Sequence, residues 1–283
     1  MKEETLKQLQ KAEVEILDCI VHICESNDLN YFLIGGTLLG AVRHKGIIPW
    51  DDDIDVAMPR NDYEKFLRIF ETCNANKKFI LDTYENNKLY WAAFAKVRNA
   101  STVYQEGELK DYKGNMGVWV DIFPLDNAKS DENSKKQLLQ FKMAKFIDKL
   151  IRINSFKMTP KKSVAKRALC KCVCILPKKF LFWCEKKVMT LNKDEDSRYF
   201  VNIGSRYGLK KQTHLKEKYF PAVELEFEGK MYKAPRDYDY VLRKIYGDDY
   251  MELPPVEKRV THNPIKIKFE DGEEYTFDEA TNK

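Results

Sequence analysis

The chain has 283 residues, 43% of them hydrophobic and 33% charged, and it carries a net charge of +5. This length suits one large domain or one domain with a substantial appendage, and the apolar content is ample for a core. The sequence has no run of 18 apolar residues and no signal-peptide pattern at its N-terminus, which excludes a transmembrane helix and predicts a cytoplasmic protein.

The first part of the chain alternates helical and strand patterns. Apolar residues recur near a 3.6-residue period over residues 3–28 and predict an amphipathic helix. The segment YFLIGG predicts a short strand that ends in glycines, and Thr37 is placed to cap a short helix, TLLGAVRH. A loop, GIIPW, leads to a second strand, DIDVAM, and Asn61 with Glu64 resembles a capping box before the helix YEKFLRIFETC.

Three further strands are predicted in the segments FILDTYE, YWAAFAKVRN and GVWVDIF. The order of helix, strand, short helix, strand, helix and strands predicts an α+β fold with a mixed sheet. We assign this core to residues 1–130.

Residues 131–197 form a basic helical insert in this interpretation. From Lys135 to Lys187 the sequence has sixteen Lys or Arg residues against two acidic residues, a net charge of +14. Lys-rich apolar segments, interrupted by Pro160 and Pro177, predict two or three helices. The rest of the chain is neutral to acidic, so the positive charge is concentrated in one part of the protein.

Residues 198–283 return to mixed character and are predicted to pack on the core. The segment FPAVELEFEGKMYKAP predicts a hairpin with its turn at Glu228 and Gly229. The segment RDYDYVLRKIYGDDYMELPP predicts a helix that ends at a Gly-Asp-Asp turn. This turn has a second interpretation, in which it closes over an active site.

The chain has seven cysteines, an odd number that indicates reduced thiols in a cytoplasm. Four of them form a cluster in the insert: Cys170, Cys172, Cys174 and Cys184. Structural zinc sites usually have two to four residues between paired cysteines, and the C-K-C-V-C spacing is tighter. Apolar packing is therefore the favoured role of these thiols, with zinc as the alternative.

Four aspartates lie within five positions, at 51, 52, 53 and 55. Side chains alternate faces along a strand, so Asp53 and Asp55 share one face, Asp51 has the same parity, and Asp52 points the other way. Two converging carboxylates are costly to ionise together, and Mg²⁺ prefers oxygen ligands of this kind. The pair Asp53 and Asp55 therefore predicts a metal site, whereas Asp52 is predicted to be structural.

A third carboxylate is needed from another strand to hold two cations. Asp121 is the best candidate because it follows the apolar segment GVWV and is flanked by apolar residues. An acid is rarely buried in such surroundings without a partner or a function. Asp126 is a weaker candidate, with capping of a turn as its alternative role.

The double glycine, Gly35 and Gly36, precedes the aspartates by about fifteen residues. Glycine permits close approach of a phosphate, and the following helix offers free N–H groups near Thr37. Alone, this pair is more typical of an ordinary turn. With the D-x-D strand behind it, the order of strand, Gly-Gly, helix, strand and D-x-D resembles the nucleotidyltransferase fold of the polymerase-beta type.

The segment GGTLLGAVRHKGIIPWDDDIDVAMPRNDYEKFL resembles the signature of the LicD family, whose animal relatives include fukutin and the fukutin-related protein. The later segments KVRN, WVDIFPLD and YGDDYMELPP are similar to family landmarks in the same order. The resemblance implies that residues 1–130 are the catalytic core, with Asp53 and Asp55 as metal ligands, Asp51 as a nearby active-site acid and Asp121 as the third acid.

The resemblance also implies an activity. The enzyme is expected to transfer a phosphorylated alcohol, phosphocholine above all, from a CDP-linked donor to a sugar hydroxyl of a surface glycan, such as lipopolysaccharide, teichoic acid or capsule, and to release CMP. Mg²⁺ or Mn²⁺ is the expected cofactor. CDP-choline is the expected donor, and a glycan or lipid-linked glycan is the expected acceptor.

The donor needs cationic partners for its phosphates. Arg43 is the best candidate near the acids because its guanidinium can bind phosphate bidentately, although a solvated basic turn is the alternative. Lys96 and Arg98 share strand parity in AKVRN and could both face the diphosphate, with an exposed strand face as the alternative. Gly35, Gly36 and Thr37 complete the predicted donor site.

Aromatic residues near the acids offer a cage for choline. Trp50, Trp91 and Trp119 are the candidates, although core packing is the commoner role of such residues. His262 is a weak candidate for a metal ligand.

Two other functions stay open. A nucleotidyltransferase would move NMP onto a small molecule or macromolecule and release pyrophosphate rather than CMP. A non-catalytic protein would keep the fold and only dock glycan or membrane, which the intact acid set argues against.

The basic stretch 135–187 has three interpretations: a solvated face, a nucleic-acid surface, and a contact with the inner face of a membrane. No nucleic-acid motif or stacking platform is present, so we expect no specific nucleic-acid partner. Lys-rich helices that carry Leu, Ile, Phe and Trp suit peripheral contact with an anionic leaflet.

Overall fold

A computed structural model describes residues 1–74, 77–110, 112–131, 133–157, 164–193, 196–259 and 261–277. Pro160, predicted to interrupt the insert, lies outside these ranges. The described residues form an α+β fold with a central mixed sheet, as predicted.

Eight α-helices occur in the described parts of the chain: α1 (Glu3–Glu25), α2 (Gly35–His44), α3 (Arg60–Cys73), α4 (Lys135–Phe156), α5 (Val164–Ile175), α6 (Lys178–Met189), α7 (Leu209–Gln212) and α8 (Tyr238–Tyr246). The insert supplies three of them, α4 to α6, which confirms its helical character. Gly247 follows α8 with φ of 108°, a conformation that favours glycine, and its N–H bonds to the carbonyl of Arg243. The Gly-Asp-Asp turn is therefore a helix C-terminus, and Tyr246 and Asp249 of the same segment also line the large cavity of the protein.

Twelve strands occur in the same ranges: β1 (Phe32–Leu33), β2 (Asp55–Pro59), β3 (Phe79–Asp82), β4 (Ala95–Asn99), β5 (Val103–Glu106), β6 (Trp119–Ala128), β7 (Tyr199–Val201), β8 (Thr213–Leu215), β9 (Val223–Phe227), β10 (Lys230–Ala234), β11 (Pro264–Lys268) and β12 (Glu274–Thr276). The predicted hairpin is confirmed as β9 and β10, with Glu228 and Gly229 at positive φ in its turn.

The central sheet has the order β1-β2-β6-β4-β3, and β7 and β8 extend it from β6. The β2–β6 pair is parallel and the other pairs are antiparallel. A second small sheet joins β5 to β11 and β12, so the last part of the chain packs on the core through backbone pairing. Strand β6 is central because it pairs with β2, β4 and β7, which gives it buried neighbours on both edges.

Three local predictions at element boundaries are wrong. The segment YFLIGG forms strand only at Phe32–Leu33, and its two glycines open α2 instead of ending a strand. Thr37 therefore lies inside α2 rather than at its cap, where Ile34 stands. Helix α3 begins at Arg60 behind Pro59, with no side-chain cap, so the capping box does not form. In each case the helix starts earlier than the sequence pattern indicated.

Asp126 joins α3 to the central sheet and does not belong to a turn. Its two carboxylate oxygens accept hydrogen bonds from Nε and Nη2 of Arg60, at 2.7 and 2.8 Å, and both side chains are buried. A buried carboxylate is stable as an ion only with such a partner. The weaker of the two candidate acids on β6 is thus structural.

The insert has its own small core, which packs against the part of the chain that precedes it. Ile151 of α4 packs with Leu181 and Phe182 of α6, and the Phe182 ring stacks on Tyr84 at 4.2 Å between centroids. Glu185 of α6 is buried at the same interface. Its burial, together with the charge of Asp148, raises the pKa of Glu185 to about 8.

Two observations bear on the alternatives left by the sequence. Across the described ranges, no helix is both long enough and apolar enough to cross a bilayer. The same ranges hold no group of three or more His, Cys, Asp or Glu side chains already spaced as metal ligands, the insert cysteines included.

Glu185 makes the stability of the fold depend on pH. The folded-state pKa of about 8 exceeds the ordinary value of 4.5, so the native state holds a proton that the unfolded state has lost between these values. The contribution of Glu185 to the free energy of unfolding is therefore fully present below pH 4.5 and is lost as pH rises through 8. The Glu185→Gln variant has no titrating group at this position. The urea midpoint of the variant minus that of the wild type should therefore increase as pH rises from about 5 to about 9.

An exposed glutamate supplies the control. Glu257→Gln should parallel the wild type at every pH, because Glu257 is exposed. A difference in midpoint between Glu185→Gln and the wild type that stays constant across this range would contradict the argument.

Candidate active site

One large cavity, of about 1030 Å³, opens where the central sheet, α2, the insert and the C-terminal segment meet. It is lined by four of the predicted acids, both glycines and two of the predicted cations: Asp51, Asp53, Asp55, Asp121, Gly35, Gly36, Arg43 and Lys96. The cavity is large enough for a nucleotide-sized ligand. It is therefore the candidate active site.

A row of three charged residues crosses the sheet at the floor of the cavity. Asp55 of β2 stands opposite Asp121 of β6 in parallel register, and Asp121 stands opposite Lys96 of β4. Residues opposite each other on neighbouring strands project to the same face of the sheet. The register thus brings Asp121 beside Asp55, as the sequence predicted for a third acid.

Lys96 neutralises one member of this row. Its Nζ lies 2.5 Å from Oδ1 of Asp121, and it also lies 4.3 Å from the centroid of the Trp119 ring. Lys96 was predicted to bind the donor diphosphate. The structure places it in the cavity but pairs it with a carboxylate of the chain itself.

The double glycine lets two carboxylates lie against the start of α2. Gly35 has φ of 57°, and a Cβ there would lie 3.3 Å from Oδ2 of Asp55; at Gly36 it would lie 2.7 Å from Oδ2 of Asp51. A side chain at either position would crowd these acids. The N-terminus of a helix carries partial positive charge, so this contact offsets part of the repulsion between the two acids.

Asp52 is buried on the opposite side of the acid segment and is structural, as its parity predicted. Its carboxylate accepts hydrogen bonds from the Tyr104 hydroxyl at 2.5 Å and from the backbone N–H of His262 at 2.9 Å. Nδ1 of His262 lies 3.0 Å from the same carboxylate, and Nε2 lies 3.7 Å from Asp53. Asp52 therefore positions His262 at the edge of the acid cluster.

The carboxylates of the cavity repel one another, and this repulsion and their burial shift their pKa values. Burial raises the pKa of Asp51 to about 8, with the charges of Asp53 and Asp52 adding to the effect. Burial and the neighbouring carboxylates hold the pKa of Asp55 well above its usual range. His262 responds in the opposite sense: although its burial lowers the pKa, Asp52 and Asp53 raise it to about 10. The cluster accordingly attracts positive charge.

A divalent cation fits this set of side chains. Oδ1 of Asp55 is buried without a hydrogen-bond partner in the described structure, and carboxylate oxygens are the ligands that Mg²⁺ and Mn²⁺ prefer. Asp53, Asp55 and Asp121 are the residues that would hold it. The described residues contain no group of three side chains already spaced as metal ligands. The cation site is therefore inferred from the clustered negative charge and from the unpartnered Oδ1 of Asp55.

The predicted donor-binding residues divide into two groups. Gly35, Gly36 and Arg43 line the cavity, with Nη1 of Arg43 donating at 3.0 Å to the carbonyls of Tyr250 and Glu252. Arg98 and Thr37 do not line it. Arg98 is buried and donates to Asp82 at 3.1 Å, and the Thr37 hydroxyl accepts from the backbone N–H of Asp55 at 2.8 Å.

Arg98 is therefore corrected from a donor-binding residue to a structural one. Equal parity put Lys96 and Arg98 on one face of β4, but the cavity covers only the Lys96 end of that face. The buried hydroxyl of Thr37 fixes the backbone that carries Asp55, and the predicted role of its backbone N–H at the start of α2 stays a prediction.

All three candidate tryptophans line the cavity. Arg259 stacks on Trp50 at 4.2 Å and Lys96 on Trp119 at 4.3 Å from the ring centroids. Trp91 contacts the rings of Tyr112 and Phe156, and no cation of the described chain stacks on it. Trp91 is a buried member of the cavity wall and the candidate tryptophan without a cation of the described chain on its ring.

Sequence reasoning missed part of the cavity wall. Helix α4 of the insert contributes Lys145, Asp148 and Arg152, and the turn after β7 contributes Arg206. The pKa of Arg206 is raised, because Tyr207, Asp53 and Asp55 outweigh its burial. No local pattern marks these residues. The only hint was the charge of the insert.

Comparisons with known proteins agree with the early resemblance. A family model described as LicD/FKTN/FKRP, nucleotidyltransferase domain, matches residues 28–159. The chain is 30% identical over 275 residues to lipopolysaccharide cholinephosphotransferase LicD of Haemophilus influenzae, an alignment that covers 93% of this chain and 97% of that protein.

Two further similarities are more limited. Over 43 residues the chain is 46% identical to ribitol 5-phosphate transferase FKRP of Homo sapiens, covering 15% of this chain and 9% of that protein. A solved structure of terminal uridylyl transferase 4 from Trypanosoma brucei with bound GTP aligns with 63% of this chain and 58% of that chain, at 12% identity and a TM-score of 0.22. So low a TM-score supports no conclusion about this chain.

Close packing of α2 on the loop that leads to the acids generates a prediction. A Cβ at Gly40 would collide with the backbone carbonyl oxygen of Gly46 and lie 3.3 Å from the N of Ile48. Gly40→Ala should therefore lower the free energy of unfolding by about 1 to 3 kcal/mol, as measured by urea denaturation. The better helix propensity of alanine offsets only part of this loss.

Gly208→Ala is the matched control, because a Cβ there meets nothing within 4 Å. It should leave the free energy of unfolding near that of the wild type. Equal stability of the two variants would show that α2 and the loop do not pack as closely as described.

Proposed function

The chain belongs to the LicD family of phosphotransferases, and on that premise we propose that it moves phosphocholine from CDP-choline to a sugar hydroxyl of a surface glycan, with release of CMP. The observation that carries this proposal is the row of Asp55, Asp121 and Lys96 at the floor of a cavity of about 1030 Å³. The similarity of the chain to a lipopolysaccharide cholinephosphotransferase over most of its length supports it.

The reaction is a displacement at phosphorus. The sugar oxygen forms a bond to the phosphorus that carries choline, and the bond from that phosphorus to the bridging oxygen of the diphosphate breaks. CMP leaves with the bridging oxygen. Positioning and electrostatic stabilisation supply most of the catalysis in such transfers.

The acidic and basic side chains of the cavity have different proposed roles. When bound at Asp53, Asp55 and Asp121, Mg²⁺ or Mn²⁺ would stabilise negative charge on the transferring phosphoryl group and acidify the attacking hydroxyl. Asp51 lies in the same cavity outside this ligand set and takes up the proton of the hydroxyl. Among the cations of the wall, Arg43 and Arg206 bind and orient the diphosphate.

Lys96 holds Asp121 in position and brings positive charge to the cavity floor at 2.5 Å from that carboxylate. This ion pair gives a buried carboxylate a positive partner before the donor arrives. Its role is therefore to position an acid rather than to bind the donor alone.

Choline as the cargo is supported by the cavity wall. A quaternary ammonium binds best over the face of a tryptophan, and Trp91 is not already stacked by a cation of the described chain. Asp148 of α4 also lines the cavity, where it pairs with Arg152 at 3.3 Å.

The first test is a product assay on the full chain. Incubation with Mg²⁺, CDP-choline and lipopolysaccharide should release CMP and label the glycan with choline, and EDTA should abolish both. CDP-glycerol and CDP-ribitol should be used less well. Pyrophosphate release from a nucleoside triphosphate, without CMP from any CDP-alcohol, would establish a nucleotidyltransferase instead.

Asp55→Asn separates catalysis from folding. Loss of one acid of the cluster should lower CMP release at least about a hundredfold, the size of several kcal/mol of lost charge stabilisation. Its thermal midpoint should not fall, because burial already disfavours the charge of Asp55. Asp271→Asn, at an exposed acid, is the control and should keep full activity.

A further inference from the structure

The exposed apolar side chains of the protein are concentrated on the insert. Among the described residues, ten large ones lie between residues 138 and 191: Leu138, Leu139, Met143, Phe146, Leu169, Ile175, Leu176, Phe180, Trp183 and Leu191. Isolated exposed apolar residues are normal on protein surfaces. A concentration of this kind in one subdomain marks an interaction surface.

Helix α6 carries the most ordered part of this surface, which we call the α6 stripe: Leu176, Phe180 and Trp183. Phe180 and Trp183 lie three residues apart and share one face of α6, and Leu176 stands just before the start of the helix. The Phe180 and Trp183 rings stack with centroids 6.1 Å apart, although their side chains are 52% and 56% exposed. The opposite face of α6 is buried on the core, so the stripe points away from it.

Neighbouring elements extend the apolar surface. Ile175, at the corner between α5 and α6, is 82% exposed. On α4, Leu139, Met143 and Phe146 repeat the spacing of four and three residues on an exposed face. Helices α4 and α6 pack directly on each other. Aromatic and aliphatic side chains therefore stand out from two packed helices of one small subdomain.

Positive charge surrounds these side chains. Exposed lysines occur along all three helices of the insert: Lys135, Lys136, Lys142, Lys149, Lys171, Lys179 and Lys187. Nζ of Lys187 lies 5.9 Å from the centroid of the Trp183 ring, so charge and apolar surface alternate along one helix face. The stretch 135–187 carries a net charge of +14.

We propose that this face of the insert docks on an anionic lipid bilayer, with Phe180 and Trp183 at the level of the head groups and the lysines against lipid phosphates. A bilayer of acidic lipids offers both negative charge and an apolar layer directly beneath it. A nucleic acid would match the lysines but not the exposed leucine and isoleucine side chains. The bilayer is the partner that satisfies both features of the surface.

The docking surface and the cavity lie on different sides of the same subdomain. Lys145, Asp148 and Arg152 of α4 line the cavity, whereas Met143 and Phe146 of the same helix are exposed. Contact with a bilayer would therefore hold the cavity near the membrane surface, where a lipid-linked acceptor is found. This last consequence rests on the proposed function; the docking itself does not.

Flotation of the full chain with vesicles tests the proposal. Vesicles of phosphatidylcholine with phosphatidylglycerol should carry the protein up a density gradient at low salt, and high salt should release it. Vesicles of phosphatidylcholine alone should bind much less. Absence of binding, or equal binding to both kinds of vesicle, would overturn the proposal.

Variants assign the binding to the insert. Phe180→Ala with Trp183→Ala should weaken binding to the anionic vesicles at least about tenfold, and Lys179→Glu with Lys187→Glu should do the same. Met231→Ala is the matched control, because Met231 is 53% exposed outside the insert, and it should bind like the wild type. Wild-type binding by both double variants would contradict the assignment.

Two parallel measurements keep the outcomes distinct. CMP release from CDP-choline with a soluble acceptor should be unchanged in the double variants, so a failed flotation result and a failed activity assay are separate findings. Light scattering compares the oligomeric state of the wild type and the Phe180→Ala, Trp183→Ala variant. A wild-type dimer that this variant dissociates, without vesicle binding, would show that a second copy covers the stripe instead.

Discussion

The parallel register of β2 and β6 is the constraint on which the site depends. It sets Asp55 beside Asp121 on one face of the sheet, within a cavity that also holds Asp51 and Asp53. Buried carboxylates at such spacing repel one another, and each remaining feature of the site answers that repulsion. Lys96 pairs with Asp121, Asp52 holds a cationic His262 beside Asp53, and the start of α2 lies against the other two acids.

The local sequence pattern predicts which acids are candidates for the site, but it does not predict the partners that these acids find in distant parts of the chain. Alternation singled out Asp53 and Asp55 as candidates, although Asp53 lies just before β2 rather than in it. The pairing of Asp52 with His262 joins residues 210 positions apart, and nothing near either one announces it. Arg98 shares the parity of Lys96, yet a buried acid on β3 takes it away from the cavity.

The predictions of helix boundaries and of the residues in the cavity wall were incomplete for a similar reason. A double glycine after an apolar run indicates a strand end, but packing against Asp51 and Asp55 makes it the first turn of α2. The insert was recognised by its charge, whereas its contribution to the cavity depends on how α4 lies against the core. Charge patterns identify a subdomain, and only the tertiary arrangement shows that one side faces the active site and another carries the α6 stripe.

The central claim is that Asp53, Asp55 and Asp121 together bind a divalent cation, and calorimetric titration of the full chain with Mn²⁺ tests it most directly. The account predicts that the wild type binds Mn²⁺ and that Asp55→Asn and Asp121→Asn each weaken this binding at least about tenfold. Asp271→Asn, at an exposed acid outside the cavity, should bind like the wild type. No binding by the wild type, or equal affinity in the wild type and the two cavity variants, would contradict the account.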